Sequence, residues 1–444
     1  MMPLMWLLTP YTDLAILKGK IAWGMARLRF NVDTSLWKWL RPGLQVKRWL
    51  GLLLVGLFCL SLGASFVYVY FYRAIQVPKA ASPLVYHLTL QFVPHLARGL
   101  ILGAFGLLAV GLAVLQLNRS LVSAVHSPLQ GKLVDILERR RLGERGPKVV
   151  AIGGGNGLSS LLRGVKRHTN NLTAIVTMAD DGGSSGRLRR DLGIPPPGDL
   201  RHCITALADD ESLLTQLFEY RFGAGKGLNG HSFGNLFIAA LSEITGKFER
   251  AVAESSRVLA VRGRILPSTL ENVTLSAELA EVKDGTHHVQ GESAIPEAGA
   301  PIERVYLHPG SARGYSEAMR AILEADVIVI GPGSLYTSIM PNLLVSDICQ
   351  AIRASPALKV YVCNVATQPG ETDGYDVGDH IRAIENHVGL GLIDCVIAND
   401  NLARPLPPEG RSQLVRPSYD AAYAERIVLR DVVSAESIWR HDPE

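Results

Sequence analysis

The stretch Lys148-Val-Val-Ala-Ile-Gly-Gly-Gly-Asn-Gly-Leu-Ser159 decides the fold. Val149 to Ile152 are an unbroken apolar run, the pattern of a strand buried on both faces. Glycines then crowd the chain at Gly153, Gly154, Gly155 and Gly157, where the backbone has to turn tightly or approach something closely. The following LSSLLRGVKR has helical spacing, and LTAIVTMADDGG is a second apolar strand that ends in charge. Strand, helix and strand within about thirty residues make a βαβ unit of a parallel sheet.

The pattern continues outward from this unit. DESLLTQLFEYRF, SFGNLFIAALSEITG and FERAVAESSRVLAV read as helices, and residues 265–300, with NVTLSAELAEV, as a β-hairpin excursion. ADVIVIGPGSLYTS runs from strand to loop. KVYVCNV and DCVIAND are further buried strands, with HIRAIENHVG a helix between them. The order predicts an α/β fold, a Rossmann-like doubly wound, mostly parallel sheet with insertions over residues 148–444.

Upstream, the sequence changes character. Leu50–Tyr72 and Gly99–Leu117 contain no charged residue and are long enough to cross a bilayer as helices. Trp49 on one side of the first run and Tyr68, Tyr70 and Tyr72 on the other suit an interfacial belt. Lysine and arginine are dense before the first run and after the second, whereas the connecting loop holds only Arg73, Lys79 and Arg98. The expected topology is therefore a two-pass anchor in the cytoplasmic membrane, with both termini and the main domain in the cytoplasm. The organisation read from this is a basic segment at 1–49, two transmembrane helices within 50–117, a linker at 118–147 and the α/β domain at 148–444.

Composition narrows the function classes. The chain has 444 residues, 48% of them apolar, with 43 glycines, which excludes a disordered chain. A net charge of +4, with basic residues gathered near the N-terminus, gives no reason to expect a nucleic-acid partner. Cys59, Cys203, Cys349, Cys363 and Cys395 are widely separated and read as reduced thiols.

Ligands of open parallel sheets bind at the carboxyl ends of the strands, and the unusual motifs fall there. Gly153-Gly154-Gly155-Asn156-Gly157 suits a phosphate at a helix N-terminus, with a plain tight turn as the alternative. It departs from the dinucleotide fingerprint at Leu158, and no Gly-Lys-Ser/Thr is present for a P-loop. In the loop 179–189, Asp180 and Asp181 are candidate ligands of Mg²⁺ or ribose hydroxyls. Ser184, Ser185 and Arg187 there are candidate phosphate donors, against a plain surface loop. Pro195-Pro196-Pro197-Gly198 stiffens the approach to Asp199, a helix cap or a ligand contact. His231, Ser232 and Asn235 stand at another helix start. Gly331, Gly333 and Ser334 repeat the anion-nest logic after a later strand, and the polar run Asn364 to Thr372, with Thr367, suits a sugar or base. No His-Glu-x-x-His occurs, and catalytic residues stay unassigned.

Taken together, GGGNGLSSLLRGVK, MADDGGSSGRLRRDLG, PPPGDLR, GHSFGNLFIAAL, GPGSLYTSIMPNLLV, NVATQPGETDGY and the terminal RHD resemble the YvcK family of bacterial gluconeogenesis factors. These belong to the superfamily of 2-phospho-L-lactate transferase. The resemblance spans residues 148–444 and leaves out the first 147. It implies a domain that binds UDP-N-acetylglucosamine and links carbon metabolism to cell-envelope synthesis and cell shape. On that basis the chain is expected to be a regulatory binding protein rather than an enzyme. It is also expected to form homo-oligomers and to have protein partners in envelope synthesis. The alternative is a Mg²⁺-dependent phospholactate-type or other nucleotide-dependent transferase. The resemblance further implies that Gly153 to Gly157 cradle diphosphate, with Asp180, Asp181 and Ser184 to Arg187 lining the same pocket. Asn235 and Gly331 to Ser338 would bound it, and Arg440 would close it. Asn156 stands where many relatives have threonine.

Overall fold

The computed structural model divides into two units, residues 1–141 and 142–444. It describes residues 146–442 except 209–212, 281–287, 404–411, 419–420 and 435–438, together with scattered positions between 57 and 111. In the first unit, the described positions inside the two apolar runs are helical, and Leu57, Phe58, Ile101 and Leu108 are exposed. Among the described residues, no helix is long and apolar enough to cross a membrane. Most of both predicted spans, and the whole of 1–49 and 118–145, lie outside the described residues.

The second unit is built on a seven-stranded sheet. In chain order come β1 (Val149–Gly153), α1 (Gly155–Val165), β2 (Leu172–Val176), α2 (Gly183–Leu192) and α3 (Gly198–Leu207). Three more helices follow, α4 (Leu213–Glu219), α5 (Phe233–Thr245) and α6 (Phe248–Val258), and then β3 (Arg264–Pro267). The excursion comprises β4 (Thr274–Leu279), β5 (His288–Gln290), α7 (Ala294–Glu297) and β6 (Ile302–His308). The chain returns through α8 (Ser316–Leu323) to β7 (Val327–Ile330), a π-helix (Leu335–Ile339), α9 (Met340–Leu343) and α10 (Ser346–Ala354). It finishes with β8 (Leu358–Val362), α11 (Val377–Val388), β9 (Cys395–Asn399), α12 (Ala421–Ala424) and β10 (Ile427–Arg430).

The main sheet runs β10-β9-β8-β7-β1-β2-β3, and every pairing in it is parallel. The chain winds outward from β1 through β2 to β3, returns to place β7 on the other side of β1, and winds out again to β10. The strand order therefore reverses between β1 and β7, and a crevice opens there at the strand ends. Val149 to Ile152, Ile328 to Ile330 and Leu172 are among the buried core of this sheet, as their unbroken apolar runs require.

Two readings of the sequence shift. The loop after β2 is helix α2 from Gly183 onward, ended by Gly193 in the left-handed region at φ 67°. Its Gly-Ser-Ser-Gly start has poor helix propensity, and burial of Ser184, Ser185, Gly186 and Leu188 outweighs that. The excursion also begins later than residue 265. Arg264–Pro267 pair with β2 as the edge strand β3, and the antiparallel sheet β5-β4-β6 starts at Thr274.

Candidate functional site

The two glycine-rich turns meet at the switch point. Gly154 caps α1 in an extended conformation without a side-chain cap of its own, and no acid stands in the first turn of the helix. Gly155 follows at φ 60°, a conformation open to glycine. The turn after β7 packs directly on α1. A Cβ placed at Gly157 would stand 2.5 Å from the Pro332 carbonyl oxygen and 2.8 Å from Gly333 Cα. Gly333 N donates to Asn364 Oδ1 at 3.3 Å, and Gln368 Nε2 donates to Ser334 Oγ at 2.6 Å. The loop after β8 is thereby tied to the loop after β7. Beneath them, Glu371 accepts from Tyr336 N and Thr337 Oγ1, and burial pushes its carboxyl up to about 7.

These turns wall a cleft of about 400 Å³. Gly154 to Gly157, Asp180, Asp199 and Glu292 line it with Gly333, Ser334, Thr337, Asn364 and Gln368. Trp439, Arg440 and His441 reach it from the C-terminal end of the chain.

The three acids are half-buried in the cleft wall. Asp199 opens α3 and accepts a hydrogen bond from Gly155 N–H, joining α3 to the start of α1. Its pKa is raised to about 7, chiefly by burial and then by Asp180, against the lowering effect of Gly155 and Arg201. Burial raises Asp180 too, although Gly182 N–H and Ser185 stabilise its carboxylate. Glu292 is pushed to about 8 by burial, Asp180 and Asp199. Near neutral pH the cluster thus holds protons that a cation or a proton-accepting reactant can displace.

The profile of the family described as 2-phospho-L-lactate transferase CofD matches residues 149–426, from β1 to the approach of β10. The chain belongs to the CofD family. Within reach of this CofD-family chain is a putative gluconeogenesis factor of Nostoc, 44% identical over 438 residues, covering 94% of this chain and 93% of that one. A gluconeogenesis factor of Bacillus subtilis is 54% identical over 253 residues, covering 57% of this chain and 78% of its own. A crystal structure of a UPF0052 family member from Bacillus halodurans superposes with a TM-score of 0.63 at 47% identity, covering 68% of this chain and 97% of that one.

In this CofD-family cleft, the predicted residues Gly154, Gly155, Asn156, Gly157, Asp180, Asp199, Gly333, Ser334 and Arg440 come together. Others serve the cleft from behind. Gly153 ends β1, and its carbonyl accepts from Asn342 Nδ2 at 3.0 Å. Ser185 Oγ accepts from Gly198 N and also hydrogen-bonds to the Asp180 carboxylate. Asp181 faces away, accepting from Glu292 N, Ser293 N and Ser293 Oγ at 2.8–3.1 Å. It anchors the loop that presents Glu292, so the predicted Asp180–Asp181 metal pair is not one constellation. Among the described residues, no group of three or more His, Cys, Asp or Glu is arranged to hold a metal ion.

The remaining predicted residues are not among those that line the cleft. Ser184 Oγ contacts His231 Nδ1 at 3.0 Å and accepts from Asn235 Nδ2, while Asn235 Oδ1 accepts from Arg201 Nε. Arg187 Nη2 donates to the Asn229 carbonyl at 3.0 Å. Gly331 is buried at φ 80°, and Thr367 pairs with Gln413 by N–H and by Oγ1. Glu292, Thr177 and Trp439 line the cleft without having been singled out, and His441 lines it from within the quoted terminal RHD. Glu292 lies in the excursion, distant in sequence from every glycine-rich motif, and no local pattern marks it.

Proposed function

We propose that the cleft binds a nucleoside-diphosphate sugar, UDP-N-acetylglucosamine, and that the chain acts as a gluconeogenesis factor coupling carbon metabolism to cell-envelope synthesis and cell morphogenesis. One observation carries this reading: two glycine-rich turns, after β1 and after β7, face one cleft at the point where the strand order reverses. N–H groups at the start of α1 suit the diphosphate, and the amides of Asn364 and Gln368 suit sugar or base. The names of the relatives support the gluconeogenesis part of this role. Mg²⁺ would be held by Asp180 and Asp199 together with the ligand's own phosphates, since this ion commonly takes one or two carboxylates beside phosphate oxygens. Calorimetric titration of the purified full chain with UDP-N-acetylglucosamine, GDP and NAD tests the reading. Selective binding of the first is expected, and preference for either of the others would overturn it.

A second reading has its own observation. Asp199 and Glu292, held near neutral pKa in the cleft, suit proton transfer in a nucleotide-dependent transferase of the phospholactate type. Product analysis of the same mixtures with Mg²⁺ separates the two, because a regulatory protein returns its ligand unchanged. The uncharged runs at 50–72 and 99–117 further support a two-pass membrane anchor with the cleft-bearing unit in the cytoplasm, where envelope-synthesis partners and a second copy of the chain would meet it.

A further inference from the structure

The C-terminal segment is fastened to the rim of the cleft. Ser434 N donates to the Arg440 carbonyl and Asp442 N to the Val432 carbonyl, both at 2.9 Å, and Val433 bridges His441. Val433 is buried with Val365 and Ala366, two residues of the cleft lining, so the segment packs on the loop that leaves β8. Trp439 stands immediately before the fastened stretch 440–442 and lines the cleft. The residue is 52% exposed, and its indole makes no ring pair, cation–π contact or hydrogen bond among the described residues.

Single exposed apolar side chains are ordinary, and what sets Trp439 apart is its place. The cleft lining is glycine, hydroxyl, amide and carboxylate apart from Pro332, Val365, Ala366, Arg440 and two rings. One ring, the His441 imidazole, is neutral, its pKa lowered to about 4 by burial, and its Nε2 is sealed from solvent. The indole of Trp439 is therefore the accessible aromatic surface of the cleft, and such a surface takes up planar rings by offset stacking. Its distance from the start of α1 matters too. β8 lies two strands from β1, so the loop on which the segment packs is about 10 Å along the sheet edge from the loop after β1. In a nucleoside diphosphate a pentose separates the base from the phosphates and supplies that reach. A sugar bonded directly to phosphate lacks it.

We propose that Trp439 is the stacking platform of the cleft for the nucleobase of the bound ligand. Its chemistry complements that of the glycine-rich turns, which offer N–H groups to phosphate and no surface for a flat apolar ring. Stacking tolerates any base, because every base has a π-face, so Trp439 supplies affinity and leaves the choice of base to polar groups. The inference rests on the nucleotide-sugar reading and adds the residue that holds the base.

The test is titration of UDP-N-acetylglucosamine and of UDP into the purified full chain as wild type, Trp439→Phe and Trp439→Ala, with thermal melting to confirm folding. Trp439→Ala removes the platform and is expected to weaken both ligands equally, by about fivefold to a hundredfold. Trp439→Phe keeps a flat face and is expected to bind within about threefold of wild type. Fluorescence gives a second readout that does not depend on the alanine variant folding. The other five tryptophans, Trp6, Trp23, Trp37, Trp39 and Trp49, all precede the α/β unit. Saturating UDP is expected to quench the emission of wild type and to leave that of Trp439→Phe unchanged. Wild-type affinity in Trp439→Ala, or no quenching specific to Trp439, overturns the platform while leaving the ligand assignment standing. A loss confined to UDP-N-acetylglucosamine places the ring against the sugar and overturns the base assignment. A wild-type chain that binds UDP but not UDP-N-acetylglucosamine overturns the nucleotide-sugar reading alone, and one that binds neither overturns both.

Discussion

At the scale of single residues, Asp199 and Glu292 make the chain sensitive to pH. Their folded pKa values, about 7 and about 8, lie above the ordinary values of 3.8 and 4.5. The stability they contribute is full below the ordinary values and is lost as pH rises through the folded ones. Asp199→Asn keeps an acceptor for Gly155 N–H and removes the titration. Its melting temperature is expected to match wild type at pH 4 and exceed it at pH 8, a gain on the order of 1–3 kcal/mol. A wild-type pH slope in the variant would contradict the buried-acid assignment. Ligand binding shares this sign. Without divalent cation, affinity for a diphosphate should rise as pH falls from 8 to 6, and Glu292→Gln should flatten that rise. Arg187 illustrates the opposite case. With its guanidinium on the Asn229 carbonyl and outside the cleft lining, Arg187→Ala should change ligand affinity by less than about threefold. A tenfold loss in a folded variant would return Arg187 to the diphosphate.

At the scale of elements, the site is a junction between the start of α1 and the turn before the π-helix. The junction depends on the absence of side chains. At Gly154 an added Cβ would collide with Asp199 Oδ2, and at Gly157 with the backbone of Pro332. Gly157→Ala has to push the two turns apart, because backbone cannot swing aside as a side-chain tip can. We expect a loss of roughly 1–3 kcal/mol in stability and more than about tenfold in affinity, read by melting and titration. Unchanged values for both would show that the turns are not locked together. Gly155 is a poorer probe. Its Cβ position is open, with only Ser338 Oγ at 3.8 Å, yet its φ of 60° strains a β-branched residue whatever occupies the cleft.

At the scale of the whole molecule, the unit from 142 to 444 carries the sheet, the cleft and the core. A chain beginning at residue 142 is expected to remain soluble and to bind ligand with the affinity of the full chain. Aggregation, or loss of binding on truncation, would show that residues 1–141 complete the fold or the site. For the proposed anchor, a reporter fused after Glu444 should behave as cytoplasmic and one inserted near Ser82 as external. The reverse pattern would overturn the topology.

How much of this was legible depended on how local the cause was. Val149–Gly153, Leu172–Val176, Val327–Ile330, Leu358–Val362 and Cys395–Asn399 are central strands, buried on both faces, so the sequence shows them as unbroken apolar runs. The glycine-rich turns were equally legible, because tight backbone geometry demands a residue type. Edge strands are different. Arg264–Pro267 and Ile427–Arg430 are short, with exposed positions, and only pairing with a neighbour makes them strands. The roles of the acids were not local either. Asp180 and Asp181 are adjacent in sequence, but opposite sides of the loop send one into the cleft and the other onto the backbone of residues 292–293. The sequence by itself determined the α/β class, the parallel sheet and the sheet edge where the cleft lies, since periodicity and glycine placement encode those directly. The partners of each side chain were decided only by the tertiary structure, because Asp199, Glu292 and His441 acquire their protonation and their place in the cleft from segments remote along the chain.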